Sequence, residues 1–246
     1  MRELLNILKS EFLKLKKDTM FYTGTIISVF VPILIIIKDK FLSMPPDEIT
    51  AWISNCCLID FLILSALSGF IITNLVQKEY QSGALTNILT SAVSRTSFVF
   101  VKLAAWFLWY VAILIYIEIV TILGSNILYP TQFNVEFAKL IVAMFTKFGL
   151  LTFVTLTPLL WITLLQRKLF YPSILVTLGF TGILLGGFNI SMEMMIPASI
   201  IPWTAVSLVS VFQVENPYFI IGIISIILTG IFGVFLALRA IHEQDQ

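Results

Sequence analysis

Two carboxylates, Asp60 and Glu118, stand inside long apolar runs of this 246-residue chain. A pair of carboxylates is the minimum equipment for aspartyl proteolysis, which requires the two groups to share one site. On the 1.5 Å rise of an α-helix, Asp60 lies about 24 Å from Val76 and Glu118 about 30 Å from Phe98. If those runs cross a membrane, both carboxylates belong near one boundary rather than at mid-depth, and proteolysis within the bilayer is disfavoured.

Other catalytic groups are scarce. The one histidine, His242, lies next to the C-terminus, so histidine-dependent catalysis within the apolar runs and the usual zinc sites lack their side chains. Cys56 and Cys57 are adjacent and belong to no CxxC or Cys/His cluster, and we interpret them as apolar filler. The sequence lacks the phosphate-binding pattern GxxxxGK[ST]. We therefore predict a non-catalytic chain that binds no cofactor or metal itself.

The composition is that of a membrane protein. Hydrophobic residues make up 59% of the chain, charged residues 12%, and the mean hydropathy is +1.00. The net charge of +1 gives no reason to expect nucleic acid as a partner. Apolar windows longer than 18 residues predict an all-α, polytopic fold, with residues 1–246 forming a single transmembrane domain. The six predicted spans are Met20–Ile37, Ile53–Val76, Phe98–Leu123, Phe137–Leu165, Leu169–Ile190 and Tyr218–Leu238. Thr157-Pro158 should kink the fourth.

Lysine and arginine set the expected orientation. With the N-terminus in the cytoplasm, 11 of the 15 basic residues fall on the cytoplasmic side, as the positive-inside rule requires. This places both termini inside the cell. The outer side keeps Lys38, Lys40, Lys139 and Lys147.

The segment Met192–Pro217 is apolar enough to suggest a seventh span, which would move the C-terminus outside. Pro197 and Pro202 interrupt it, and no lysine or arginine anchors either end. We therefore favour two short helices that lie in, or dip into, the outer interface.

The N-terminal stretch over residues 1–18 has the pattern of an amphipathic helix. Leu5, Leu8, Phe12 and Leu15 share one face. We expect this helix to lie in the membrane plane, and its length and polarity argue against a cleaved signal peptide. The residues expected at the membrane interface are Lys9, Phe12, Lys14, Lys16 and Lys17.

A second amphipathic stretch, "EYQSGALTNILTSAVSR", lies between the second and third spans. Its apolar residues recur every three or four positions, which predicts a cytoplasmic helix over residues 78–95. Gly83 would let a partner approach closely, and opposite charges bracket the stretch. The helix either lies on the surface without a partner or is pushed by a soluble protein. The residues expected to couple it to that protein are Glu79, Gly83, Leu85, Ile88, Leu89 and Arg95.

Together with "SEFLKLKKD" at Ser10–Asp18, this stretch resembles the permease subunits of type-2 ABC exporters. Those subunits commonly have Glu, a Gly four residues on, a leucine-rich helix, Ser-Arg, and a Lys seven residues later. Ala84 and Ala92 depart from the common Thr and Pro, so the helix should run further toward Arg95. The whole layout is most similar to lantibiotic-immunity and bacitracin-resistance permeases. The matching residues here are Glu79, Gly83, Leu85, Leu89, Ser94, Arg95 and Lys102.

The resemblance implies a role for each segment. Residues 1–18 would be the connecting elbow helix, residues 78–95 the coupling helix seated in a groove of an ATPase subunit, and residues 192–217 the extracellular helices. ATP and Mg²⁺ would be held by that ATPase. Two ATPases would serve two permeases, identical or related, in the plasma membrane. The substrate would be an amphiphilic peptide antibiotic, and Asp60 and Glu118 either reach the outer headgroups or line a cleft that attracts it.

Other interpretations of the sequence remain open. A membrane signalling or scaffold protein could bind a soluble regulator through the same cytoplasmic helix. Two small-xxx-small pairs, Ser65 with Gly69 and Gly182 with Gly186, could pack within one chain or between two. The sequence does not distinguish export across the membrane from expulsion out of the bilayer.

Overall fold

The chain forms a bundle of α-helices in the computed structural model. The structure describes residues 2–15, 18–42, 45–81, 83, 95–166, 169–188, 190–211 and 216–243, with the side chains of 2–7 and 211 excepted. No strand occurs among these residues, which confirms the all-α prediction. The helices are α1 Arg2–Leu15, α2 Thr19–Phe41, α3 Ile49–Gln81, α4 Arg95–Leu128, α5 Val135–Leu156, α6 Pro158–Leu165, α7 Tyr171–Gly186, α8 Met195–Ile200, α9 Pro202–Val211 and α10 Pro217–Glu243.

Five helical segments of the described chain are long and apolar enough to cross a membrane: α2, α3, α4, α5 with α6, and α10. The multi-pass prediction is therefore confirmed. The predicted fifth span, Leu169–Ile190, is represented by α7, which has only 16 residues. At 1.5 Å per residue, α7 is about 24 Å long, shorter than the roughly 30 Å of a hydrocarbon core.

The predicted kink in the fourth span is present as a break between α5 and α6. Pro158 has no N–H to donate, so the helical ladder is interrupted there. The Thr157 hydroxyl lies 2.9 Å from the Val154 carbonyl and 3.2 Å from the Gly230 carbonyl of α10. A side chain at Gly233 would meet the Pro158 nitrogen at 2.6 Å. The two glycines therefore let α10 pack directly against the break.

The centre of the bundle is formed by α3, α4 and the α5–α6 pair. Their most apolar windows are 61%, 56% and 61% buried, whereas those of α2 and α10 are 22% buried. Two large polar side chains of α4 find partners in the interior: Trp106 Nε1 donates to Ser68 Oγ at 2.8 Å, and the Tyr110 hydroxyl donates to the Gly149 carbonyl at 3.0 Å. α2 and α10 leave apolar side chains on the outside, as lipid-facing helices do.

Residues 192–211 form a short 3-10 turn, Met192–Met194, followed by α8 and α9. The pair is bent by 119° between Ile200 and Pro202. Neither helix alone is long enough to cross a bilayer. The prediction of two short helices in this segment is confirmed. Trp203 Nε1 donates to the Thr155 carbonyl at 3.0 Å and fixes α9 against α5.

The two small-residue pairs have different environments. Ser65 and Gly69 of α3 face α7: a side chain at Gly69 would collide with Thr177 at 2.2 Å, and Ser65 Oγ lies 3.4 Å from Thr181 Oγ1. This pair therefore packs within the chain. Gly182 and Gly186 have no atom of another described segment within 4 Å of the place where a side chain would begin.

Candidate functional site

A group of four charged side chains, three of them buried, joins three helices at one end of the bundle. We call Glu11, Lys14, Glu79 and Lys102 the charge cluster, and the end of the bundle where they lie the near end. The Lys102 side chain is only 2% exposed. Its ammonium donates to Glu79 Oε1 at 2.8 Å and to the Glu11 carboxylate. A buried ammonium is tolerated because these carboxylates replace its lost hydration.

Lys14 completes the charge balance. Its Nζ lies 2.8 Å from Glu11 Oε1 and 2.9 Å from Glu79 Oε1, so two cations face two anions. Burial lowers the pKa of Lys14, but the hydrogen bonds and charges of Glu11 and Glu79 outweigh it and leave the pKa above its ordinary value. We predicted that Lys14 would face lipid headgroups. Its ammonium instead binds carboxylates, although the side chain remains 54% exposed.

The positions of these residues follow from three elements. In α1, Glu11 and Lys14 are three residues apart and therefore share a face, while Leu15 is buried in the core and Phe12 packs against it. Glu79 occupies the last turn of α3. Lys102 lies two turns into α4. The cluster thus holds α1 against the end of one central helix and the beginning of the next.

A second ionic contact fixes the corner between α1 and α2. Asp18 caps α2, accepting from the Met20 N–H at 2.9 Å and the Phe21 N–H at 3.3 Å. Its other oxygen accepts from Asn74 and lies 2.7 Å from Lys78 Nζ. Burial by itself raises the pKa of the Asp18 carboxyl. The hydrogen bonds and the Lys78 charge together outweigh burial, so the pKa of Asp18 lies below its ordinary value. The α1–α2 corner is therefore bound to α3.

The end of α3 is also bound to the connection between α6 and α7. Gln77 Nε2 donates to the Leu169 carbonyl at 3.1 Å, and the Tyr80 hydroxyl donates to the Leu164 carbonyl at 3.0 Å. Gly83 then adopts φ +68°, a left-handed conformation that ends a helix and that glycine adopts without penalty.

This geometry corrects the predicted boundaries of the coupling helix. Glu79 belongs to α3 and Arg95 begins α4, so neither is part of one continuous helix over residues 78–95. α3 ends at Gln81 because the positive φ of Gly83 does not fit a continuing α-helix. At the second boundary, Arg95 Nη1 donates to the His242 carbonyl at 3.4 Å, which connects α4 to the end of α10.

Several predicted residues lie outside the described part of the chain. They are Leu85, Ile88 and Leu89 of the predicted coupling helix and Lys16 and Lys17 of the elbow helix. Among the elbow residues within it, Lys9 is exposed and Phe12 is half-buried. Residues 2–15 are helical, and their role as an elbow helix at the membrane interface stays a prediction.

The two carboxylates inside spans, Asp60 and Glu118, both lie within the bundle, not on an open surface. Asp60 is 2% exposed and Glu118 8%. The Thr146 hydroxyl donates to Glu118 at 2.6 Å, whereas neither oxygen of Asp60 has a partner among the described residues. The two residues therefore differ in environment, and a substrate-facing role for them stays a prediction.

Metal binding has no candidate in the described ranges: no three histidine, cysteine, aspartate or glutamate side chains there are grouped so as to hold an ion. The sequence analysis did not single out Glu11, Asp18 or Asn74. Their partners lie 91 and 56 residues away along the chain, so no local spacing indicates them.

Comparison with known proteins gives two findings. The family model described as ABC-2 family transporter protein matches residues 7–186 of the chain. The chain is also similar to the bacitracin transport permease protein BCRB of Bacillus licheniformis. The two are 27% identical over 174 residues, which cover 69% of this chain and 78% of that protein.

Proposed function

Because the chain belongs to the ABC-2 family of transporter proteins, we propose that it is the permease subunit of an ATP-driven exporter for an amphiphilic peptide antibiotic. The family identifies it as a non-catalytic, multi-pass subunit of an ABC transporter. The peptide substrate and a role in immunity or resistance belong to the proposal. They are supported by the similarity to a permease named for bacitracin transport.

The observation that carries the proposal is the charge cluster, which joins the helix that precedes residues 82–94 to the helix that follows them. Glu79 precedes that segment, Lys102 follows it, and Glu11 of α1 binds Lys102. A force applied to the segment by an ATPase would reach α3 and α4 together, because separating them would leave charges buried without partners. Removing one partner of such a buried ion pair lowers the stability of a protein by about 3–5 kcal/mol. The cluster would therefore make α1, α3 and α4 move as a unit.

The partners in this proposal are two ATPase subunits that hold ATP and Mg²⁺, and a second permease, identical or related. The face of α7 that carries Gly182 and Gly186 supports the second permease. It is apolar, it leaves Leu175 and Leu178 exposed, and it offers space for a close helix approach. Both chain termini would lie in the cytoplasm of the cell, on the side of the ATPases.

For the substrate, we propose that Asp60 and Glu118 contribute negative charge on the path of a cationic amphiphile. Both are buried in the closed bundle of one chain, so this role requires the helices to separate during the transport cycle. Asp60, whose carboxylate lacks a partner among the described residues, is the stronger candidate of the two.

The test is to search the neighbouring reading frames for a lone ABC ATPase domain, co-express the protein found with this chain, and co-purify the two. We expect the ATPase to bind the wild-type chain and to be lost from Leu89→Asp. The matched control is Leu13→Asp, since Leu13 is a 55% exposed leucine of α1 outside the charge cluster. If the wild-type chain captures no ATPase, the exporter proposal is wrong. If both aspartate variants retain it, the placement of the coupling segment is wrong.

A second measurement addresses the substrate. Cells that express the permease and its ATPase should survive higher bacitracin or lantibiotic concentrations than cells with a permease that lacks its ATPase. Equal survival would reject the peptide substrate while leaving the transporter assignment intact.

A further inference from the structure

The described chain carries one feature that the transporter assignment does not use, a groove of about 580 Å³ between α3, α5 and α9. It lies at the opposite end of the bundle from the charge cluster, which we call the far end. Lys147 of α5 lines it, together with hydroxyl-bearing and apolar side chains that include Thr50, Ser54, Met144 and Ser210. A lysine in such a groove requires an explanation, because the surrounding helix is apolar.

Lys147 has no carboxylate within 4.0 Å among the residues that the structure describes. Its Nζ lies 5.2 Å from the ring centre of Phe219, the one favourable contact for its charge found there. Glu118 forms no ion pair with it within 4.0 Å and accepts instead from the neighbouring Thr146 hydroxyl. An ammonium within a span costs about 2.5–3.5 kcal/mol at mid-bilayer and less toward the edge, and such residues usually mark a binding site.

The depth of Lys147 indicates what would neutralise it. Along the helix it lies about 27 Å from Leu165, which is at the near end of the same span. A hydrocarbon core is roughly 30 Å thick. The ammonium therefore lies close to the far boundary, at the level of lipid phosphates.

The surroundings of the groove fit a lipid rather than a small anion. A second cavity of about 290 Å³ shares Ser54, Met144 and Ser210 with it. That cavity is lined mainly by apolar side chains, among them Phe148 and Phe188. An anionic headgroup near Lys147 would thus have an apolar space beside it for hydrocarbon.

We propose that this groove binds an anionic phospholipid of the far leaflet, with its phosphate on Lys147 and an acyl chain in the adjoining cavity. The Ser54 and Ser210 hydroxyls, which donate within their own helices, can rotate toward the headgroup. The site is independent of which substrate the transporter moves.

The experiment is native mass spectrometry of the purified full-length chain with equal amounts of phosphatidylglycerol and phosphatidylcholine. The wild-type chain should retain phosphatidylglycerol preferentially. Lys147→Met should weaken that binding about tenfold, the value of one charged hydrogen bond. The matched control is Lys139→Met on the same helix, because Lys139 is 68% exposed and paired with Glu136. It should behave as the wild type.

Two further variants test the proposal if Lys147→Met does not fold. Ala143→Phe fills the groove without removing charge and should reduce phosphatidylglycerol binding, whereas Lys147→Arg should preserve it. Inorganic phosphate should not displace the lipid. The proposal is overturned if Lys147→Met and Ala143→Phe both keep the wild-type preference, or if inorganic phosphate competes.

Discussion

The carboxylate of Glu79 and the ammonium of Lys102 are 2.8 Å apart, although 23 positions of sequence separate the two residues. Glu79 lies in the last turn of α3 and Lys102 two turns into α4, on either side of residues 82–94 in the sequence. The contact therefore joins the two helices that flank, in sequence, the segment that we propose to bind the ATPase.

Removing the cation at this contact should destabilise the chain strongly. Lys102→Met leaves Glu11 and Glu79 buried and close together, and we expect a loss of about 3–5 kcal/mol. The measurement is the midpoint of thermal unfolding in detergent. Lys9→Met, which removes an exposed lysine of α1, should change the midpoint little.

A double variant tests whether the instability of Lys102→Met comes from unpaired buried carboxylates. Adding Glu11→Gln to Lys102→Met should recover part of the lost stability, because one unpaired carboxylate is removed. A double variant as unstable as the sum of the single changes would contradict the account of the cluster.

The effect of a substitution at Gly83 should depend mainly on whether the new residue adopts a left-handed backbone conformation, and less on the size of its side chain. Its φ of +68° disfavours side chains other than asparagine, while no neighbouring atom of the described residues lies within 4 Å of the position that a Cβ would occupy. Gly83→Ala should cost about 1–2 kcal/mol from the left-handed backbone alone, and Gly83→Asn less. Thermal unfolding measures this conformational cost. Affinity for the ATPase is measured on the same variants.

If a partner approaches closely at this glycine, Gly83→Trp should lower that affinity well beyond Gly83→Ala. Equal effects of alanine and tryptophan would mean that the backbone turn matters and that no partner surface lies against it.

Two buried aspartates should respond in opposite directions to the same substitution. Asp60 has no partner among the described residues, and an unsatisfied buried group costs about 1–3 kcal/mol. Asp60→Leu should therefore raise the thermal midpoint. Asp18→Leu should lower it, because Asp18 accepts four contacts at the α1–α2 corner. A lower midpoint for Asp60→Leu would show that Asp60 has a partner in the membrane.

Orientation has a direct test. A reporter fused after Gln246 should be cytoplasmic, and one inserted near Pro45 should be external, as the distribution of basic residues predicts. An external C-terminal reporter would mean that residues 192–217 cross the membrane completely.

The helices were predictable from sequence because each depends on a local apolar run, and Pro158 marked the break between α5 and α6. Helix ends were less predictable: α3 extends to Gln81 and α4 begins at Arg95, because buried contacts hold polar residues in helices beyond the apolar core.

The charge cluster was predictable only in part. Glu79 and Lys102 belong to a recognisable motif, but Glu11 looks like any acidic residue of an amphipathic helix. Only folding of α1 onto α4, through the burial of Leu15 and neighbouring side chains, shows that Glu11 binds Lys102.

The long separation of Glu11 from Lys102 has a consequence for biogenesis. A ribosome adds roughly 5–20 residues per second, so the 91 positions between them take roughly 5–20 s to synthesise. Glu11 is made first and Glu79 next, while the buried cation that both require is made last. During that interval Lys14 is the only cation of the charge cluster that has been made, and α2 and α3 are synthesised before Lys102 appears. α1 is therefore translated well before α4 but reaches its final place only after α4 has been made.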